Sequence, residues 1–189
     1  MSGWQIGRRL GDRFWRAASC LPLIACSLMW PHRAGAQTPL EYEVKAAFLL
    51  NFTKFIEWPQ GVFAASDSPF TICILGKDPF GQALDQIVAG ESVNGRKLEV
   101  RRIGQAPEPQ ACQVVFVASG EKEVRRTLSG LRNGVLTVGE GENFMREGGM
   151  IAFVIENRRV RFDIDQSAAE RAGLRLSSKL LSVARSVQK

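Results

Sequence analysis

The sequence predicts a single-domain α/β sandwich, in which helices flank a mixed, largely parallel central sheet. Three observations predict it. The apolar pattern switches repeatedly along the chain between helix-like and strand-like spacing. The runs at 70–75, 112–118 and 135–138 are apolar without alternation, which is typical of buried parallel strands. Two more strands, at 150–156 and 160–164, are close enough in sequence to form an antiparallel hairpin.

The first predicted helix covers residues 40–58. This stretch contains neither Gly nor Pro, and its apolar side chains recur at helical spacing until Pro59 and Gly61 end it. The other predicted helices are short, and most carry a start or stop signal. They cover 79–88 with Asp78 as N-cap, 121–131 after a capping Ser119, 166–172 ended by Gly173, and 177–187.

The remaining segments connect these elements. Asn94–Gly95 is a turn signal, and the alternating stretch 98–103 after it predicts a further strand. Residues 139–149 hold several glycines and predict a flexible loop. No repeat or second domain is visible, so one domain is expected over residues 37–189.

The charge is distributed unevenly along the chain. Its 189 residues carry a net charge of +6, but five arginines and one aspartate lie within residues 1–36, so residues 37–189 carry only +2. Binding to a nucleic-acid backbone requires an excess of cationic side chains. We therefore expect no nucleic-acid partner.

The first 36 residues have the order of a secretory signal. A basic stretch is followed by an uncharged, mainly apolar run at 17–30 and then by Ala34–Gly35–Ala36. The run has 14 residues, whereas a spanning helix needs roughly 20. Residues 1–36 are therefore predicted to be a signal peptide, cleaved between Ala36 and Gln37.

Two other interpretations of this leader stay open. Leu23–Ile24–Ala25–Cys26 has the form of a lipoprotein signal in which Cys26 would be lipidated, and the leader could instead remain as an uncleaved amphipathic anchor. Cleavage after Ala36 predicts an exported domain, and the bacterial periplasm is its expected location.

The mature chain lacks the residues of common catalytic sites. His32 is the single histidine and leaves with the leader, which excludes Ser-His-Asp and Cys-His mechanisms and imidazole metal ligands. No nucleophile elbow, phosphate loop or dinucleotide motif is present. We expect no enzyme activity and no cofactor. The alternative is a carboxylate-dependent hydrolase using Asp163 and Asp165, for which no partner base or metal set is visible.

Four stretches of the mature chain form a specific set. They are EVKAAFL with NF and FIEWP in 43–59, CILGKDPFG at 73–81, GGMI with VRFDI in 148–164, and AGLRLSSKLL at 172–181. Together they resemble the YfiR-like family of exported bacterial proteins, in which these stretches occur in the same order, and they cover most of residues 37–189.

This resemblance implies a periplasmic repressor. Such a protein binds the periplasmic sensor domain of an inner-membrane diguanylate cyclase and so restrains cyclic-di-GMP signalling. The resemblance also implies sequestration by an outer-membrane-associated lipoprotein, a homodimer and disulfide bonds. The residues alone leave open a periplasmic small-molecule sensor or solute-binding module, with a pocket beyond the carboxyl ends of the parallel strands.

Cys73 and Cys112 are the only cysteines of residues 37–189. Cys73 lies within one predicted buried strand and Cys112 begins another. If these strands are neighbours, the two residues come within disulfide range. An oxidising compartment favours the bond, and two buried free thiols are the alternative. The family pattern has two cysteine pairs, whereas this sequence has one, so redox switching through a second pair is not expected.

The C-terminal hairpin and the segment after it are the expected partner contact. Phe162, Leu174 and Leu176 lie among arginines that could form a polar rim around an apolar anchor. The alternative is that these side chains belong to the hydrophobic core.

Overall fold

The computed structural model describes residues 39–108 and 111–189, which form six helices and ten strands. The predicted signal peptide, with its cleavage site between Ala36 and Gln37, lies outside these residues. The helices are α1 (Pro39–Phe55), α2 (Gln82–Val88), α3 (Val124–Ser129), α4 (Gly141–Arg146), α5 (Gln166–Arg171) and α6 (Ser178–Val183). The strands are β1 (Ile56–Glu57), β2 (Phe70–Leu75), β3 (Ser92–Val93), β4 (Arg96–Ile103), β5 (Val114–Val117), β6 (Leu136–Glu140), β7 (Ile151–Glu156), β8 (Arg159–Asp165), β9 (Arg175–Leu176) and β10 (Ser186–Gln188).

Eight strands form the central sheet in the order β10-β8-β7-β6-β5-β2-β4-β3. Strands β4, β2, β5, β6 and β7 are parallel to one another. Strands β3 and β8 are antiparallel to β4 and β7, and β10 lies parallel to β8. β2 and β5 are buried along their whole length, as parallel strands covered on both faces must be. The predicted fold class, a mixed and largely parallel sheet with flanking helices, is confirmed.

The two faces of this sheet are covered very differently. On one face, α1, α2, α5 and α6 pack their apolar side chains into a cluster of 29 buried residues, counted over the described part of the chain. We call this the α1 face. On the other face, α3 and α4 cover a cluster of eight described buried residues that includes Cys73 and Cys112. We call this the disulfide face.

Helix α1 ends three residues earlier than predicted. Residues 56–57 leave the helix and pair antiparallel with β9, with Ile56 opposite Leu176. Ser177 N donates to Phe55 O at 3.0 Å, which continues this contact to the last residue of the helix. The pairing joins the end of α1 to the C-terminal segment.

Two predicted helix starts are wrong because the capping side chains have other partners. Asp78 Oδ1 accepts from Phe80 N and Gly81 N, so it closes a turn, and α2 begins only at Gln82, three residues later than predicted. Ser119 Oγ donates to the carboxylate of Glu140, and α3 starts only after Glu123, whose φ is 57°.

The predicted glycine-rich loop contains α4. Its Phe144 is buried, and the ring lies where a Cβ at Gly139 or Gly149 would be, within 2.4 Å and 2.1 Å of ring carbons. The two glycines are therefore needed for close approach of this ring rather than for flexibility.

The C-terminal hairpin and the turn after β3 follow the prediction. Asn94 and Gly95 have φ of 52° and 78° between β3 and β4, and Asn157 and Arg158 have φ of 50° and 61° between β7 and β8. Two residues with positive φ are the signature of a tight hairpin turn. Helix α5 also forms as predicted, with Gly173 at φ 79° after it.

The last predicted helix is shorter than expected. Ser177 caps α6, but the helix stops at Val183 because Ala184 is extended, with φ −63° and ψ 150°. Arg185 N then donates to Phe162 O at 2.8 Å, and residues 186–188 form β10 beside β8. The C-terminal segment thus ends as an edge strand.

Candidate partner-binding surface

Cys73 and Cys112 form the predicted disulfide, with Cα atoms 5.8 Å apart. Both residues are buried on the disulfide face. They are not cross-strand partners, because Val115 of β5 lies opposite Cys73 and Cys112 precedes that strand. The disulfide therefore links the segment just before β5 to the middle of β2.

Gln113 and Trp58 connect this segment to the end of α1. Gln113 Oε1 accepts from Thr71 N at 2.8 Å, while Gln113 O accepts from Trp58 Nε1 at 3.4 Å. The Trp58 ring also packs edge-on against Phe70 at 4.8 Å. These contacts join β2, β5 and the residues after α1 at the amino end of the parallel strands.

A buried ion cluster lies at the opposite, carboxyl end of β6. Lys45 is 2% exposed, and its Nζ lies 2.5 Å from Glu41 Oε1 and 2.5 Å from Glu140 Oε1. Ser119 Oγ and Tyr42 OH also donate to Glu140. The cluster therefore fixes α1 to the ends of β5 and β6, where the sensor interpretation places a ligand pocket.

The pKa values in this cluster follow from burial and pairing. Burial raises the pKa of Glu140, but the hydrogen bonds from Lys45 and Ser119 outweigh it, so the pKa lies below its ordinary value. Burial, followed by the negative charge of Glu140, raises the pKa of Tyr42. Glu140 is thus a permanent anion and Tyr42 a permanent donor near neutral pH.

The two carboxylates of the hydrolase alternative both have structural partners. Asp163 accepts from the Arg185 guanidinium, through Nε at 2.8 Å and through Nη2. Asp165 Oδ1 accepts from Ala168 N at 2.7 Å and so caps α5. Within residues 39–108 and 111–189, no three His, Cys, Asp or Glu side chains are grouped as metal ligands would be.

The predicted contact residues lie mostly inside the molecule. Phe162 and Leu174 are 1% and 0% exposed and belong to the α1-face core, while Leu176 is half-buried in the β1–β9 pair. The expectation that Phe162 and Leu174 form an exposed anchor is therefore wrong for the isolated chain. These two apolar side chains pack in the core. The sequence pattern alone does not distinguish a buried apolar side chain from an exposed one.

The exposed large apolar side chains instead form a band outside the α1 face. Within the described chain they are Leu40, Val44, Phe55, Ile155 and Val183, at 67%, 37%, 38%, 51% and 56% exposure. We call them the apolar band.

The geometry of the strands and helices explains this grouping. Helical spacing puts the three α1 members on one stripe of that helix. Ile155 lies two residues after Phe153, whose ring contacts Phe48 and Phe52 of α1, so strand alternation directs it to the α1 face.

An apolar groove of about 240 Å³ runs between α1 and α6 within this band. Phe55 and Val183 form its exposed walls, and Phe162 lies at its floor. Lys179 is the charged residue among the described lining. Phe162 therefore borders the exposed surface from beneath, although it is not itself accessible.

The described residues thus form an α/β sandwich closed by a disulfide, with paired buried ions and with their exposed large apolar side chains on one side. In a sequence comparison, the profile of a family described as YfiR/HmsC-like matches residues 42–185. The chain belongs to this family. No match was found among curated proteins.

Family membership defines the general role of the chain. It is a periplasmic regulator of cyclic-di-GMP signalling, and its family is regulatory rather than catalytic. No helix in the described part of the chain is long and apolar enough to cross a membrane. The disulfide is in keeping with an oxidising compartment.

Proposed function

We propose that this protein represses an inner-membrane diguanylate cyclase by binding its periplasmic domain through the apolar band. The band is the observation that carries the proposal, because exposed apolar side chains concentrated on one side of a domain mark interaction surfaces. Family membership supplies the signalling context. The partner surface should be apolar, with acidic side chains near Lys179.

The groove between α1 and α6 is the expected centre of this contact. A buried apolar pocket ringed by polar side chains is the usual position of a binding hot spot. Val183 is the best residue to change, since it is 56% exposed and contributes little to the core. Replacing Phe162 or Leu174 would instead disrupt the core and give no information on binding.

The direct test measures binding of the purified protein to the periplasmic domain of a co-encoded cyclase. Val183→Asp should weaken binding at least about tenfold, because an anchor side chain is replaced by a charge that must be desolvated. Ser129→Asp is the matched control, because it adds the same charge at an exposed position of α3 on the disulfide face. Equal binding by both variants would place the interface elsewhere.

The cellular test uses the cyclic-di-GMP concentration. Deleting the gene should raise it through the released cyclase, and complementation with wild type or Ser129→Asp should restore it. Val183→Asp should fail to complement although it is folded by circular dichroism. An unchanged concentration in the deletion strain, with the cyclase expressed, would reject the repressor function.

We also propose that residues 1–36 are removed as a signal peptide between Ala36 and Gln37. The intact mass of periplasmic material should correspond to a chain that begins at Gln37. A mass corresponding to lipidated Cys26 would support the lipoprotein alternative instead.

The other partners implied by the family are part of the same proposal. A homodimer and an outer-membrane-associated lipoprotein that sequesters the repressor are both expected. Light scattering of the purified protein measures the first, and co-purification with a co-encoded lipoprotein tests the second. A monomer at micromolar concentration would contradict the dimer.

A further inference from the structure

Two adjoining clefts lie at the amino ends of β5 and β6, at the opposite end of these strands from the Lys45 cluster. They have volumes of about 380 and 210 Å³ and share residues 131–133 and Val135. The larger cleft extends to the disulfide at Cys112 and the smaller one to Arg171 of α5. Small-molecule sites commonly have volumes of about 300 to 1,000 Å³, so the joined cleft is large enough for a small ligand.

Three chain segments are fixed together around these clefts. Gly134 N donates to Ala172 O at 2.7 Å, which joins the loop before β6 to the end of α5. A Cβ at Gly134, whose φ is 81°, would lie 2.8 Å from Val62 Cγ2, so the loop at 59–62 packs directly against it. The walls are therefore held in place without a ligand.

The charged side chains of the clefts are cationic and unpaired. Arg132 and Arg171 are exposed, and neither side chain forms an ion pair or hydrogen bond with another described residue. No Asp or Glu occurs among the described residues that line either cleft. Arg132 lies two residues before Gly134, and Arg171 lies next to Ala172. The Gly134–Ala172 hydrogen bond therefore fixes the backbones of the two arginines relative to each other.

Apolar side chains also line the clefts, beside the neutral polar side chains of Gln60, Asn133 and Thr137. Leu131 and Val135 lie in both clefts, and Met150 and Ala168 line the smaller one. A guanidinium binds a carboxylate through two parallel hydrogen bonds, whereas an apolar wall favours a ligand with a hydrocarbon or aromatic part.

We propose that the joined cleft binds a small organic carboxylate, with its anionic group at Arg132 and Arg171 and its apolar part along Leu131 and Val135. The site lies at the amino ends of the strands, whereas the apolar band covers the α1 face, so the ligand and the cyclase would use different surfaces. The proposal does not depend on the repressor function.

The experiment is a titration of the purified protein followed by backbone amide NMR. Benzoate is the probe, benzamide is its uncharged analogue, and inorganic phosphate is an anion without an apolar part. Benzoate should give saturable shifts in the amides of residues 131–135 and 168–173. Benzamide and phosphate should bind at least about tenfold more weakly, since each lacks one of the two interactions.

Charge-neutralising variants complete the test. Arg132→Gln and Arg171→Gln should each weaken benzoate binding about tenfold, the change expected for one charge-assisted hydrogen-bonded contact. Arg126→Gln is the control, because Arg126 is an exposed arginine of α3 outside the clefts that pairs with Glu123. Three results would each overturn the proposal. Benzoate could leave the amides of both segments unshifted, or benzamide or phosphate could bind as tightly as benzoate. In the third, Arg126→Gln would weaken benzoate binding as much as Arg132→Gln or Arg171→Gln.

Discussion

The two faces of the sheet reach stability by different means. The α1 face has a large core in which Phe52 contacts the rings of Phe48, Phe153 and Phe162 at 6.1, 5.8 and 5.1 Å. The disulfide face has a much smaller cluster, and α3 on that face has no buried residue. Where burial of apolar side chains is limited, the covalent bond between Cys73 and Cys112 constrains the unfolded chain instead.

The two faces also differ in the side chains that they expose. The α1 face is covered by a helix that is apolar on more than one side, so it supplies both the core and most of the apolar band. The disulfide face has no member of that band among the described residues, and the clefts with their exposed arginines lie at the amino ends of β5 and β6, between Cys112 and α5. The α1 face therefore suits a protein partner, and the amino end of the strands suits a small anion.

The largest expected effect on stability lies in the α1-face core. Phe52→Ala should lower the free energy of unfolding by about 4 kcal/mol, because the fully buried ring would leave a cavity between three other rings. Urea denaturation measures this change. Phe144→Ala on the disulfide face should have a smaller effect, since Phe144 belongs to the much smaller of the two described clusters of buried residues. An equal or larger effect of Phe144→Ala would contradict the contrast between the faces.

The disulfide should account for the next largest effect. Replacing both cysteines, as Cys73→Ala with Cys112→Ala, should lower the free energy of unfolding by about 3 kcal/mol, because the closed loop no longer restricts the unfolded chain. Reduction of the wild-type protein should give a similar loss. Two titratable thiols in unreduced protein under denaturing conditions would show that the bond does not form.

The sequence predicts elements best where they are apolar and well delimited. The bounds of β2 were predicted at both ends, because an apolar run lies between Pro69 and Gly76. Strands β9 and β10 were missed, since they are short and are defined by partners distant in sequence. Ile56 pairs with Leu176, and Ser186 pairs with Asp163.

The candidate surface was only partly predictable for a similar reason. The pairing of Cys73 with Cys112 follows from two buried strands and an oxidising compartment. The burial of Phe162 and Leu174 depends on where α1 and α6 pack, which no local pattern states. The partnership of Lys45 with Glu140 joins residues 95 apart in sequence, and nothing near either one indicates it.

The ion cluster should make stability depend on acid pH. The folded-state pKa of Glu140 is below its ordinary value near 4.5, so its contribution is fully present above that value and is lost as the pH falls through the lower, folded pKa. Glu140→Gln should lower the free energy of unfolding by about 2 kcal/mol at pH 7 and less at pH 3. Urea denaturation between these pH values measures the difference, and the same loss at every pH would contradict the role of Glu140.

The smallest expected effect concerns the attachment of the C-terminal segment. Ser177 Oγ accepts from Leu180 N at 3.3 Å at the start of α6, the helix that carries Val183 of the apolar band. Ser177→Ala should lower local stability by about 1 kcal/mol, because the helix loses its cap. Hydrogen exchange should therefore accelerate in residues 180–188, with little change in the parallel strands. Ser182→Ala is the control inside the same helix, where the hydroxyl donates to Lys179 O and caps nothing. Equal acceleration of hydrogen exchange by Ser177→Ala and Ser182→Ala would contradict the capping role of Ser177.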